Sequence, residues 1–130
     1  SDTFLVIIPG GRAEDVAFRA ETFRRELASS DTAASAISLS LGIAAYPKHA
    51  SDSEELQRKA REARYQSRQQ GGATTSVAEA DQMVTKTSHF TRIQLKRLAT
   101  IAKQQERSEA SLLREGLDTL LQIYDDGAPT

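Results

Sequence analysis

The amino-acid sequence predicts an α+β protein in two parts. The first is a partial α/β layer ordered strand-helix-strand-helix-strand, and the second a small strand-helix-helix dimerisation unit. Three observations carry this. From residue 3 to 78 the apolar pattern switches between a period of two and a period of 3.6, as in a sheet covered by amphipathic helices. A polar junction, "EADQMV", then interrupts it. Beyond the junction, a Thr-rich segment precedes two leucine-striped helices. We place the first part at residues 1–77, a linker at 78–83, the second part at 84–126 and a tail at 127–130.

"TFLVIIPGG" is a β-branched apolar run closed by Pro9, Gly10 and Gly11, which predicts a buried strand ending in a turn. In "RAEDVAFRAETFRREL", Val16, Ala20, Phe23 and Leu27 recur at helical spacing, with Glu14 and Asp15 early and Arg24 and Arg25 late, matching the helix dipole. "AISLSLGIAAYP" alternates Ile37, Leu39, Leu41 and Ile43 against Ser38, Ser40 and Gly42, which predicts a strand with its apolar face buried, ended by Pro47. "SDSEELQRKAREARYQSRQQGG" has Asp52 or Ser53 as N-cap, Leu56, Ala60 and Ala63 on one face, and Gly71-Gly72 as its stop. A short strand in "ATTSVA" completes the layer. Because an apolar strand opens the chain, the fold looks entered partway through.

In the second part, "TKTSHF" is a short polar strand that buries little unless paired. Thr91 caps "RIQLKRLATIAKQQ", whose stripe is Leu95, Leu98, Ile101 and Ala102. After a break at "QER", Ser108 and Glu109 start a helix striped by Leu113, Leu117, Leu120 and Tyr124. One strand and two helices in about 45 residues enclose too small a core for a stable monomer, so dimerisation is expected.

Composition narrows the classes. The chain has 130 residues and no cysteine, which excludes disulfides, thiolate catalysis and cysteine-ligated zinc. Its apolar runs are far shorter than the roughly 20 residues of a membrane helix, so no membrane is expected and a cytoplasmic location is. The net charge of -1 hides a pattern. Across residues 82–107, Lys86, Arg92, Lys96, Arg97, Lys103 and Arg107 oppose Glu106 alone, whereas the segments on either side are net acidic. A basic block of this kind can face a polyanion. His49 and His89 stand in no ligand spacing, and Glu115, Asp118, Asp125 and Asp126 look like solvated acids, so no metal, cofactor or catalytic residue is expected.

The first part resembles the C-terminal half of a GGDEF, or diguanylate cyclase, domain. "SDTFLVIIPG" is similar to the signature hairpin and its outgoing strand: Ser1 stands at the second Gly, Asp2 at the acidic third position, Thr3 at the Glu and Phe4 at the Phe. "SLSLGIAAYP" is similar to the family's Ser-x-Gly-x-Ala strand, and "LQRKAREARYQSRQQGG" to its following helix. The departures point to a truncated, degenerate and inactive domain. Thr3 cannot serve as a carboxylate base, Asp2 alone does not hold Mg²⁺, and Arg61, Arg64 and Ser67 replace the motif's Asp, Leu and Ala. Arg68 keeps charge at the phosphate-facing position. Phosphoryl transfer needs metals and a triphosphate cradle. The remaining scaffold, with an exposed sheet edge, is expected to pair with another copy, another protein or a rearranged packing of its own.

The second part resembles a ribbon-helix-helix domain of the CopG/Arc/MetJ type, on "TKTSHFT", "LKRLATIAKQQERS" and "SEASLLREGLDTLL". The resemblance implies that two copies pair their strands, interdigitate four helices and enter the major groove of double-stranded DNA. Phe90, Leu98, Leu113, Leu117 and Leu120 then form the dimer core. Thr85, Thr87 and His89 share the outward parity and would read bases, with Lys86, Ser88 and Phe90 inward; a one-residue slip exchanges these faces and sends Lys86 to the groove. Arg92, and Arg107 with Ser108 at the second helix start, would meet phosphate.

The expected function is therefore sequence-specific DNA binding by a bacterial regulator, a homodimer or higher homo-oligomer, with a catalytically inactive half-domain for association or sensing. Two alternatives remain: a protein-interaction or antitoxin-like scaffold, and a cyclic-dinucleotide or GTP sensor.

Overall fold

A computed structural model describes residues 2–125. Ser1, expected at a signature glycine, and residues 126–130, which include the last residue of the second part and the tail, lie outside the described residues. The chain divides into two compact units. One is Ile7–Gln82; the other is built on the residues from Met83 onward and takes in the first segment up to Val6.

In the Ile7–Gln82 unit, helix α1 spans Ala13–Ala28, a single 3-10 turn spans Ala33–Ala36, strand β1 spans Leu41–Ile43, helix α2 spans Ser53–Gln69 and strand β2 spans Thr75–Val77. The two strands pair in parallel, Leu41 with Thr75, Gly42 with Ser76 and Ile43 with Val77, so β1, α2 and β2 form a crossover unit. Helix α2 starts where the acidic cap predicts: the Asp52 carboxylate accepts the Glu55 N–H at 2.8 Å, which satisfies one orphan donor of the first turn. It stops before Gly71 and Gly72, both at positive φ, where an L side chain would be strained.

Three expectations are corrected here. The run after Thr3 is no buried strand: residues 2–8 join no ladder, and Phe4 to Ile8 are all exposed. A strand needs a neighbour for its N–H and C=O groups, and among the described residues the sheet has two strands only. The second correction is the extent of β1: residues 37–40 stand before the ladder and Ile37 is 54% exposed, whereas Leu41 and Ile43 are half-buried. A Cβ on Gly42 would collide with the Ala60 carbonyl oxygen and the Arg64 backbone nitrogen, and would lie 2.7 Å from the Arg64 Cα. The glycine face is thus the one that α2 covers, and alternation turns Leu41 and Ile43 to the other side. Third, Phe23 lies off the packed stripe of α1 and is 56% exposed. The inward face carries Ala13, Val16, Ala20, Glu21, Arg24 and Leu27 instead.

That inward polar pair has a partner on the sheet. Glu21 accepts the Thr75 hydroxyl at 2.8 Å and two Arg24 guanidinium N–H groups at 3.0 and 2.6 Å. The Arg24 hydrogen bonds first, then that of Thr75, lower the Glu21 carboxyl to about 2.

In the second unit, helix α3 spans Arg92–Gln105 and helix α4 spans Glu109–Asp125. Thr91 and Gln94 form a reciprocal capping box: Thr91 Oγ1 accepts the Gln94 N–H at 3.1 Å, and Gln94 Oε1 accepts the Thr91 N–H at 2.9 Å. The helix ends at Glu106, in the left-handed region at φ 51° and ψ 42°, and Arg107 N–H closes the end on the Ala102 carbonyl at 3.0 Å. Two helices therefore follow the polar segment. Within the single chain, residues 84–90 join no strand ladder.

Candidate functional site

The expected DNA-facing residues are all accessible. Thr85, Lys86, Thr87, His89, Arg92, Arg107 and Ser108 are exposed, as are Lys96, Arg97 and Lys103 on α3. The capping box anchors the start of α3 directly after the polar segment, which places Arg92 in the first turn.

The turn into α4 is held by its own set of hydrogen bonds. Ser108 Oγ accepts the Ser111 N–H at 3.1 Å, and the Ser108 carbonyl accepts the Leu112 N–H at 3.2 Å. Helix geometry leaves the Glu109 and Ala110 amides without intrahelical acceptors. The Arg107 guanidinium is held by Glu115 and by the Ser111 hydroxyl at 2.8 Å. A phosphate approaching here would meet a preoriented cation but would have to compete with Glu115.

Most of the residues expected in a dimer core are accessible in this single chain. Leu98 is half-buried; Phe90, Leu113, Leu117 and Leu120 are 43 to 55% exposed. Ile101, Leu121, Ile123 and Tyr124 are exposed as well. Gly116 has open space where a Cβ would be.

In the Ile7–Gln82 unit, Arg68 is exposed in the last turn of α2, while Asp2 belongs to the other compact unit. Ser67 is fully buried and donates its hydroxyl to the Thr74 carbonyl, so the residue at the motif's Ala position ties α2 to the loop before β2. His49 is a local brace: its Nδ1 accepts the Ala45 N–H at 2.9 Å, and burial lowers its pKa and favours the neutral ring. Among the described residues, no three histidine, aspartate or glutamate side chains gather as metal ligands.

The sequence pattern gave no sign of Lys59. It is 4% exposed on the packed face of α2, donates to the Glu79 carbonyl and reaches Asp81 Oδ1 at 3.0 Å. Arg58 reaches the other carboxylate oxygen at 3.2 Å. The Lys59 hydrogen bond, followed by that of Arg58, lowers the Asp81 carboxyl below its ordinary value. A lysine among glutamates and arginines reads as a solvated helix face; only the packing of residues 78–82 against α2 buries it.

A family model described as "Diguanylate cyclase, GGDEF domain" matches residues 1–74. No curated protein and no solved structure matches the chain. No helix of the described residues is long and apolar enough to cross a membrane.

Proposed function

Because the chain belongs to the GGDEF, or diguanylate cyclase, family over residues 1–74, we propose that it joins a non-catalytic GGDEF-type unit to a homodimeric ribbon-helix-helix unit that binds double-stranded DNA in a sequence-specific manner. The observation that carries this reading is the combination of an unladdered polar segment, residues 84–90, with the exposed Leu113, Leu117 and Leu120 stripe of α4. Both needs, a strand partner and an apolar partner, are met by one event, pairing with a second copy.

The absence of catalysis in this reading rests on Thr3, which has no carboxylate to act as base or metal ligand where the family signature has Glu. Charge supports the choice of DNA: the exposed cations Lys86, Arg92, Lys96, Arg97 and Lys103 flank the polar segment or follow it on α3, as phosphate contacts require. Anisotropy titrations against genomic fragments at several salt concentrations test the proposal. Sequence-preferring binding with a steep salt slope is expected; no preference and no slope would overturn it.

A second reading, a protein-interaction scaffold, draws on Phe18 and Phe23, which are 76 and 56% exposed on α1. It predicts partner capture without DNA binding. Calorimetry with GTP and cyclic di-GMP tests the sensing role; no heat with either would remove it.

A further inference from the structure

Within the Ile7–Gln82 unit, the chain remains anchored beyond the end of β2. The Ala78 N–H continues the ladder to the Ile43 carbonyl at 2.8 Å, and Ala78 is 8% exposed. The next residues lie against α2 and wall a cleft of about 360 Å³ together with Lys59, Glu62, Ala63 and Gln66. Their outer sides face solvent: Glu79, Ala80, Asp81 and Gln82 are all exposed. No apolar side chain after Ala78 is buried in this segment, so polar contacts hold it.

Those contacts converge on one buried group. Lysine is almost never fully buried unless it is paired, and the Lys59 side chain is 5% exposed. Its hydrogen bonds go to the Glu79 carbonyl and the Asp81 carboxylate. Lys59 shares its stripe with Ala63 and Ser67, where a methylene chain packs well but an ammonium needs acceptors. If residues 79–81 left, the ammonium would lose both and would have to swing out to water on its flexible stem. Arg58 adds a second grip on Asp81 and is tied to Glu62 at 2.7 Å. Attachment and detachment are therefore two distinct arrangements of Lys59.

We propose that residues 79–82 form a releasable strap, that Lys59 is its latch, and that opening the latch exposes the face of α2 that the strap covers and frees the segment by which the chain leaves this unit. Such a local opening needs no unfolding of the sheet, because Thr75–Val77 and the Ala78 ladder bond stay in place.

The absence of cysteine permits a clean test on the full chain. A nitroxide placed through Ala80→Cys reports strap motion, and one placed through Gln69→Cys reports α2. The strap label is expected to be immobilised in the parent, and its correlation time to shorten by about tenfold or more in Lys59→Met and in Asp81→Asn, with the α2 label unchanged. An unchanged strap label in both variants would overturn the latch. So would equal loosening at both labels, because Lys59 would then hold the unit as a whole. Lys59→Met fills the same space without a buried charge, so it separates release of the strap from collapse of the fold.

Discussion

Gly42 of β1 lies so close to Arg64 of α2 that a Cβ on the glycine would stand 2.7 Å from the Arg64 Cα. Strand and helix meet backbone to backbone, and this approach sets how α2 covers the sheet. Relief by rotating a side chain is impossible, since the colliding atoms are backbone. Gly42→Ala is expected to cost about 3 kcal/mol or more of the unit's stability, measured by urea denaturation. A loss within about 0.5 kcal/mol would contradict the packing.

Glu21 gives the same unit an acid limit. Its carboxyl is lowered to about 2, first by the Arg24 hydrogen bonds and then by that of Thr75. The folded value lies below the ordinary 4.5, so the stabilisation is present above pH 4.5 and is lost as pH falls from there toward 2. Thermal midpoints should drop across that window, and Glu21→Gln should flatten the drop while lowering stability near neutral pH.

The capping box of α3 makes a local prediction. Thr91→Ala removes the acceptor of the Gln94 N–H and should destabilise α3 by about 1 kcal/mol. Circular dichroism and amide exchange in residues 92–96 measure it; exchange elsewhere in α3 should change less.

Leu117 tests the proposed association surface. It is 55% exposed in the single chain, so Leu117→Asp buries no charge in the monomer. Sedimentation equilibrium should show loss of the dimer with helicity retained, and DNA affinity should fall with it. A variant that remains dimeric and bound would place the interface elsewhere.

If residues 85–90 read DNA as proposed, paired substitutions resolve which face does so. With Thr85, Thr87 and His89 toward the groove, Thr87→Ala and His89→Ala should cost about 1–3 kcal/mol of discrimination at individual bases. Lys86→Ala and Ser88→Ala would then leave base preference unchanged. The reverse result assigns the opposite register. Lys96→Ala should weaken binding to all sequences and reduce the salt slope by about one.

Several elements were legible without coordinates because their causes are local. Asp52, Thr91 and Ser108 mark helix starts through a side-chain oxygen that accepts an amide two or three residues on, and the paired glycines after Gln70 mark a stop. The GGDEF relationship was likewise legible in the order of its motifs, and the family match over residues 1–74 supports it. Phe23 misled because helical spacing alone does not say which stripe faces the sheet; Ala13, Val16, Ala20 and Leu27 take that side together with Glu21 and Arg24. Alternation along β1 names two faces, and only packing set α2 on the glycine face and left Leu41 and Ile43 half-buried on the other.

The sequence by itself determined the helices, their caps, the basic block of residues 82–107 and the family of the first part, all of which depend on residue type and short spacing. Tertiary structure decided what spacing cannot express. It put α2 on the Gly42 face, left Phe4 to Ile8 outside any ladder, and buried Lys59 against Glu79 and Asp81. Each outcome depends on groups about 20 or more positions apart in the chain or on the supply of a neighbouring strand, and long-range geometry of that kind is set by packing and hydrogen-bond satisfaction rather than by local propensity.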